Sequence, residues 1–343
     1  MSNLVVKRFS HTDLDGVGSA MLLAEVLKNL DGGEFQEAEF LPVTYCEPGN
    51  DGTIDPNVLQ FLATNEEPVT HIFITDICPS EAVIAKLASY CEEKNIQWTI
   101  FDHHISSVAM NAIFPGHSKI TVADQNTGLK HSATSVVMKE LVGKMPTELF
   151  EDGKWGKLAH VADIIRCYDC WDWQSNPEAA YKEAAKDFNN LFYFFNFEKR
   201  CDLMQQVMIQ GLAYLDQYAD IITAMGEKEA EYITKKLKHA RFGKLDQYRF
   251  AYVHGEQYQS SLGNAMAQLI DPETEEVVDF SLVLVGRGVS LRAVKDDVDL
   301  SVIAKRFFNG GGHQKASGGV LKQQEIYIED QETGLESRLL VID

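Results

Sequence analysis

The sequence lacks what would carry it into a membrane, out of a cell or onto a long polyanion. No apolar run reaches the ~18–20 residues needed to span a bilayer. The opening segment, MSNLVVKRFSHTDLDG, is charged by Lys7 and has neither a separate apolar core nor a small-residue cleavage site, so no secretory signal peptide is expected. The six cysteines (Cys46, Cys78, Cys91, Cys167, Cys170 and Cys201) follow no framework spacing, which suits thiols in a reducing compartment. Cys167 and Cys170 make one CxxC with no second pair. A structural zinc site takes four ligands, so these two are read as small apolar helix residues. Positive charge is scarce: 31 Lys and Arg against 51 Asp and Glu give a net −20. Such a chain repels nucleic acid at long range, which argues against an enzyme holding long duplexes. A short phosphorylated substrate, gripped by a few local groups, remains compatible with that charge. Repeats and low-complexity tracts are absent as well. The expectation is a cytoplasmic protein with no membrane partner.

A chain of 343 residues, 45% hydrophobic and 24% charged, suggests a soluble globular protein of two domains. Apolar patterning predicts strands at Leu4–Ser10, His71–Thr75 and Gln97–Phe101. It predicts helices at Ser19–Leu30, Ser80–Lys94 (Ser80 as N-cap), Ser132–Leu141 and Lys154–Ile165. Alternating strands and helices indicate a parallel sheet with covered faces. From Ser175 to Lys244 the chain is helix-rich and includes an aromatic cluster, Phe188–Phe197, read as packing rather than as a base-stacking platform because few basic residues accompany it. Beyond Arg241 short strand-like runs return at Phe250–Val253, Phe280–Val285 and Ser290–Val294. The expected architecture is α/β: a parallel-sheet domain over 1–180, a helical connector over 181–245 and a smaller α+β domain over 246–343.

Acids sit where the strands end. Asp13 and Asp15 lie in HTDLDG after the first strand, Asp76 after the second, and Asp102-His103-His104 after the third. In open α/β sheets ligands bind outside the carboxyl ends of strands, so these groups are expected to converge. Bunched carboxylates repel one another, and their desolvation is costly unless a cation compensates. A dinuclear metal site answers this, and mixed imidazole and carboxylate donors, His11, Asp13, Asp15, Asp76 and His103, suit Mn²⁺, with Fe²⁺ or Co²⁺ next.

HTDLDGVGSA, the strand-end Asp76 and FDHH resemble the first three motifs of the DHH phosphoesterase superfamily, which includes RecJ-type exonucleases, nanoRNases, cyclic-dinucleotide phosphodiesterases and family II pyrophosphatases. The resemblance implies a hydrolase with two Mn²⁺ (Mg²⁺, Fe²⁺ or Co²⁺ as alternatives). It implies that Asp13 and Asp76 hold one metal and that Asp15, Asp76 and His103 hold the other. Asp102 would orient His103, and His104 would face the scissile phosphate. His11 stands two residues before Asp13, where many relatives have four. Two acids compete as the fourth-motif ligand: Asp169 in YDCW, which is favoured, and Asp163 in VAD.

A second motif, NGGGHQKASGG from Asn309 to Gly319, has three glycines whose amides can approach an anion, and a helix starting after it would add a positive dipole end. Ser301 to Lys322 holds Lys305, Arg306, Lys315 and Lys322 and no acid, a local reversal of the chain's charge. GGGHxxASG resembles the DHH-associated C-terminal domain, which binds nucleotide phosphate and sugar. Gly310, Gly311, Gly312, His313, Lys315 and Arg292 (in SLR) would hold the substrate. Arg287, in GRG, is a weaker candidate.

The resemblance therefore implies phosphoester hydrolysis of short oligonucleotides or linear dinucleotides by metal-activated water. Two other readings stay open: a phosphatase for a small nucleotide such as 3′-phosphoadenosine phosphate, and a non-catalytic nucleotide sensor. A homodimer is compatible with all three.

Overall fold

Successive residues of the first strand face opposite ways, and both ways are apolar. In β1 (Val5–Ser10), Val5 and Phe9 join one core cluster and Val6 joins another, as in a strand covered on both faces. The computed structural model describes all residues except 1–3, 30–34, 36, 47–52, 143–152, 175–178, 322–325, 331–334 and 340–343. Leu30, Ser175 and Lys322, which bound expected segments, lie outside the described residues. The chain divides into two units, Met1–Ile222 and Thr223–Asp343.

In the first unit β1 leads to α1 (Leu14–Lys28), β2 (Glu39–Phe40), β3 (Thr44–Tyr45), α2 (Asp55–Thr64), β4 (His71–Thr75), α3 (Glu81–Lys94), β5 (Gln97–Asp102), α4 (Met110–Ile113) and β6 (Ser118–Ile120). Ser80 is the N-cap of α3, although its hydroxyl makes no capping bond. The strands form one parallel sheet in the order β2-β1-β4-β5-β6, with β3 also beside β1. Chain progression thus reverses at β1, the place where such sheets bind ligands. Ser10 pairs with Thr75 and Thr75 with Phe101, so the next residues, His11, Asp76 and Asp102, stand abreast at one sheet edge.

Helices α5 (Ala133–Val142), α6 (Lys154–Asp169), α7 (Ala179–Phe194) and α8 (Phe197–Gln210) follow. Phe188, Leu191, Phe192, Leu203, Met204 and Val207 share a core cluster with Val6, Phe73 and Phe101 of the sheet. The expected connector over 181–245 is therefore split, because the apolar faces of α7 and α8 are consumed by the first unit's core. The division between units falls inside α9 (Ala219–Leu237).

The second unit continues with β7 (Arg241–Leu245), β8 (Tyr248–His254), α10 (Gln259–Met266), β9 (Phe280–Val285), β10 (Gly288–Arg292), α11 (Leu300–Phe307), β11 (Gly311–Gly312) and β12 (Ala316–Val320). These strands make a mixed sheet in the order β11-β12-β10-β9-β8-β7, in which β8 and β9 run parallel and the other pairs antiparallel. A separate hairpin joins β13 (Ile326–Asp330) to β14 (Leu335–Leu339). No described helix is long and apolar enough to cross a membrane.

Candidate metal centre

The turn after β1 is shaped by its own acids. Asp13 is the N-cap of α1, its carboxylate accepting the Gly16 amide at 2.8 Å. Gly16 must lack a side chain there, since a Cβ would come within 2.4 Å of the His11 carbonyl oxygen. Asp15 faces the start of α5: its two oxygens accept the amides of Ala133 at 2.6 Å and Thr134 at 2.9 Å. Apolar patterning predicts the helix at 132–141 but does not link its N-terminus to Asp15; the polar run HSATS is the available signal. Asp76 takes a left-handed backbone conformation, φ 61°, immediately after β4. Such geometry is strained for a residue with a side chain and concentrates at functional sites.

These elements gather the acids and histidines into overlapping groups: His11, Asp13 and Asp76; Asp15, His103 and Asp169; and Asp76, Asp102, His103 and His104. Asp76 links the first two. Its Oδ2 lies 3.8 Å from His11 Nδ1, while its Oδ1 lies 3.3 Å from His103 Nε2. His103 Nε2 is also 3.8 Å from Asp15 Oδ2 and 3.5 Å from Asp169 Oδ2. His11 Nδ1 meets Asp13 Oδ2 at 2.9 Å.

The competing fourth-motif acids separate cleanly. Asp169, at the end of α6, joins the cluster. Asp163, a turn and a half earlier on the same helix, does not: its carboxylate takes the Arg166 Nε at 2.7 Å and the Tyr181 hydroxyl at 2.5 Å. Arg166 also donates to Asp172 at 2.6 Å. Asp102 differs from its expected role as well. Its Oδ1 accepts the backbone amide of His103 at 2.8 Å, but its side-chain partner is His104 Nδ1, at 2.7 Å. It orients His104 rather than the His103 ring.

Electrostatics shows a site short of positive charge. Burial, followed by the charges of Asp13 and Asp15, pushes the Asp76 carboxyl well above the carboxylate range. Asp169 is raised by burial and by Asp15 and Asp13. Burial lowers the His103 pKa, favouring a neutral imidazole able to donate a lone pair. Burial opposes a charged His104 most strongly, but the bond to Asp102 and the charges of Asp102, Asp15 and Asp13 together outweigh it and the net shift is upward. Asp102 Oδ2 is buried with no hydrogen-bond partner among the described residues. Crowded carboxylates, a neutral imidazole and an orphaned buried oxygen fit divalent cations.

Cys167 is buried in α6 and Cys170 caps its end, where burial raises the Cys170 thiol pKa.

In the second unit the glycine motif builds a hairpin. Gly311 and Gly312 pair with Gly318 and Ser317, and His313 and Ala316 close the turn by mutual backbone bonds at 2.8 and 3.2 Å. Among the described residues no helix follows it; its second half is strand β12, so the expected dipole end is missing there, and α11 precedes the motif. The glycines have a packing reason: a Cβ on Gly310 would lie 1.9 Å from the Gly318 carbonyl oxygen. Gly311, by contrast, has open space around it. Gly311, Gly312 and His313 are exposed. Lys315 turns away from them, its Nζ reaching the carbonyls of Val294 (3.2 Å) and Lys295 and the Asp296 carboxylate (3.1 Å). The Arg292 guanidinium donates to Ser260 Oγ at 2.6 Å, Ser290 Oγ at 3.2 Å and the Leu291 carbonyl at 2.8 Å.

A family model described as DHH family, N-terminal domain, matches residues 6–165. The oligoribonuclease NrnB of Bacillus subtilis (strain 168) is 26% identical over 331 residues, covering 94% of this chain and 75% of its own. Among solved structures, exonuclease RecJ bound to manganese has a TM-score of 0.53 at 12% identity, with 93% of this chain and 86% of that chain covered. The DHH domain of a protein described as a ribosomal-protein family member has a TM-score of 0.54 at 15% identity, with 93% and 83% covered. At these identities the two structures share the fold.

Proposed function

We propose that this chain, whose residues 6–165 match the DHH family N-terminal domain, is a phosphodiesterase cleaving short oligonucleotides or linear dinucleotides to mononucleotides. It is a metal-dependent phosphoester hydrolase. The observation that carries this reading is Asp76, which turns one oxygen toward the His11–Asp13 group and the other toward His103, beside Asp15 and Asp169. A carboxylate so placed suits two cations sharing one ligand. Asp13, Asp76 and His11 would hold one, and Asp15, Asp76, His103 and Asp169 the other, with Mn²⁺ the best match to the donors. When bound, such ions make water acidic enough to supply hydroxide near neutral pH and offset charge on phosphoryl oxygens.

The chain's own groups do the rest. Asp102 anchors His104 through Nδ1, so that Nε2 of a ring 40% exposed can donate to a phosphate oxygen. The Asp102 carboxylate favours the protonated ring, the form in which Nε2 carries that donor. In the second unit the exposed His313 and the open backbone at Gly311 offer donors to a nucleotide phosphate. Six cysteines with no framework spacing suit a cytoplasmic location. The name of the relative NrnB directs the substrate proposal to short oligonucleotides.

Hydrolysis assays with Mn²⁺ on two- to five-mers, a long duplex and 3′-phosphoadenosine phosphate test the reading. Mononucleotides should accumulate from the short oligomers while the duplex stays intact. Inertness toward every short oligomer would refute the phosphodiesterase, and turnover of the bisphosphate alone would establish a phosphatase in its place.

A further inference from the structure

An aromatic ring and a guanidinium meet at the α7–α8 junction, where α8 packs on the strand end that precedes His11, and the chemistry above uses neither. Tyr45 of β3 pairs with Ser10, the residue before His11. Phe197, opening α8, packs edge-on to Tyr45 with ring centroids 4.7 Å apart, and Cys201 Sγ lies 3.9 Å from the Tyr45 hydroxyl. The start of α8 is thereby fixed against the strand end that carries His11 and Asp13. Tyr193, in the last turn of α7, is 48% exposed, although Phe188 and Phe192 of the same helix are fully buried. Tyr193 and Arg200 flank that anchored start, four residues before Phe197 and three after it.

Arg200 lies over the Tyr193 ring, 4.6 Å from its centroid. Its Nε donates to the Phe195 carbonyl at 2.9 Å and a terminal nitrogen to the Tyr193 carbonyl at 3.4 Å. Two backbone carbonyls fix its position and leave its charge uncompensated: it forms no ion pair with a carboxylate among the described residues. A guanidinium left without a carboxylate, in a chain of net charge −20, is suited to an incoming anion. An exposed ring with a guanidinium on it is the pairing that binds single-stranded nucleotides by stacking and phosphate contact.

We propose that Tyr193 and Arg200 form the subsite for the nucleotide next to the scissile phosphate, the ring stacking on its base and the guanidinium taking its 5′-phosphate. This rests on the phosphodiesterase reading and names where that substrate is held. It also divides the aromatic run: Phe188 and Phe192 build the core, and Tyr193 faces the substrate.

The test is kcat/KM with Mn²⁺ on a 5′-phosphorylated dinucleotide, on the same molecule with an abasic 5′ sugar, and on the form lacking the 5′-phosphate. Tyr193→Leu should lower kcat/KM on the full substrate about 10- to 100-fold, and Tyr193→Phe should stay within about threefold because the ring is kept. On the abasic substrate the wild type should fall to the level of Tyr193→Leu. Arg200→Met should raise KM about tenfold, an effect lost when the 5′-phosphate is removed. Equal rates for Tyr193→Leu and wild type on the full substrate overturn the subsite, as does a Tyr193→Phe defect matching Tyr193→Leu. If the wild type turns over no dinucleotide, the phosphodiesterase reading fails by itself. Fluorescence anisotropy with a labelled dinucleotide then decides the subsite: an unchanged Kd in Tyr193→Leu rejects it.

Discussion

The acid cluster of the first unit and the glycine hairpin of the second are built on opposite principles. Asp15, Asp76, Asp102 and His103 are buried at the ends of packed strands and at one helix start, and two of the cluster's carboxyls are driven above their ordinary range. The hairpin's Gly311, Gly312 and His313 are exposed and held by backbone pairing. A buried cluster of like charge works against the stability of the metal-free fold, whereas an exposed turn carries little such penalty. Substitutions in the cluster should therefore move stability, metal binding and turnover together. Substitutions in the hairpin should move substrate affinity alone.

Asp76→Asn is the severest test of that contrast. Turnover should fall at least about a thousandfold, the equivalent of several kcal/mol of charge stabilisation. The metal-free variant should nonetheless melt a few degrees higher than wild type, since a buried like charge is gone. The pH dependence follows from the raised Asp76 pKa. Relative to an unfolded carboxyl near ~3.9, a raised folded value gives stability that is present at low pH and lost as pH rises through the folded pKa. The melting advantage of Asp76→Asn should thus be widest at alkaline pH and shrink on acidification. Mn²⁺ should stabilise wild type and leave the variant unmoved. An intact Mn²⁺-induced shift in Asp76→Asn would remove Asp76 as the shared ligand. Asp169→Asn should follow the same pattern with a smaller rise in melting temperature, because Asp169 keeps 27% side-chain exposure against 2% for Asp76.

The contrast also marks what sequence could tell. Strands His71–Thr75 and Phe280–Val285 are legible to the residue, since a short buried strand shows as an unbroken apolar run. The convergence of His11, Asp76 and Asp102 was readable from strand ends alone. Sequence missed the helix boundaries inside the supposed connector, where the apolar faces of α7 and α8 give no sign of which core they join. It missed the Asp15 contact with α5 and the Asp102–His104 pairing, because spacing does not determine which way a side chain turns. The helix expected after the glycines failed for a further reason. A glycine run followed by small residues suits a close-packed hairpin as well as an anion loop, and Gly310 against Gly318 decides for the hairpin.

On the exposed side, His313→Ala should raise KM for a dinucleotide about 10- to 100-fold, the worth of one charge-assisted bond to phosphate. The Mn²⁺-induced rise in melting temperature should be that of wild type. A parallel loss of metal binding would show that hairpin and cluster are not independent.

Asp163→Asn should have the smallest effect, and it tests whether helical proximity to the cluster is enough to make an acid part of it. Asp163 lies on α6 with Asp169, yet its carboxylate is engaged by Arg166 and Tyr181. Its side chain is 41% exposed, so solvent screens the ion pair and the loss should be about 1 kcal/mol. For a unit of this size that is a fall of about 2–4 °C in melting temperature. Arg166 keeps Asp172 as its partner at 2.6 Å, which should hold the end of α6, and Asp169 with it, in place. Turnover should stay within about threefold and Mn²⁺ should stabilise the variant as it does wild type. If Asp163→Asn instead abolished the Mn²⁺ response while Asp169→Asn spared it, the two acids would exchange roles and Arg166 would have to release Asp163 when metal binds.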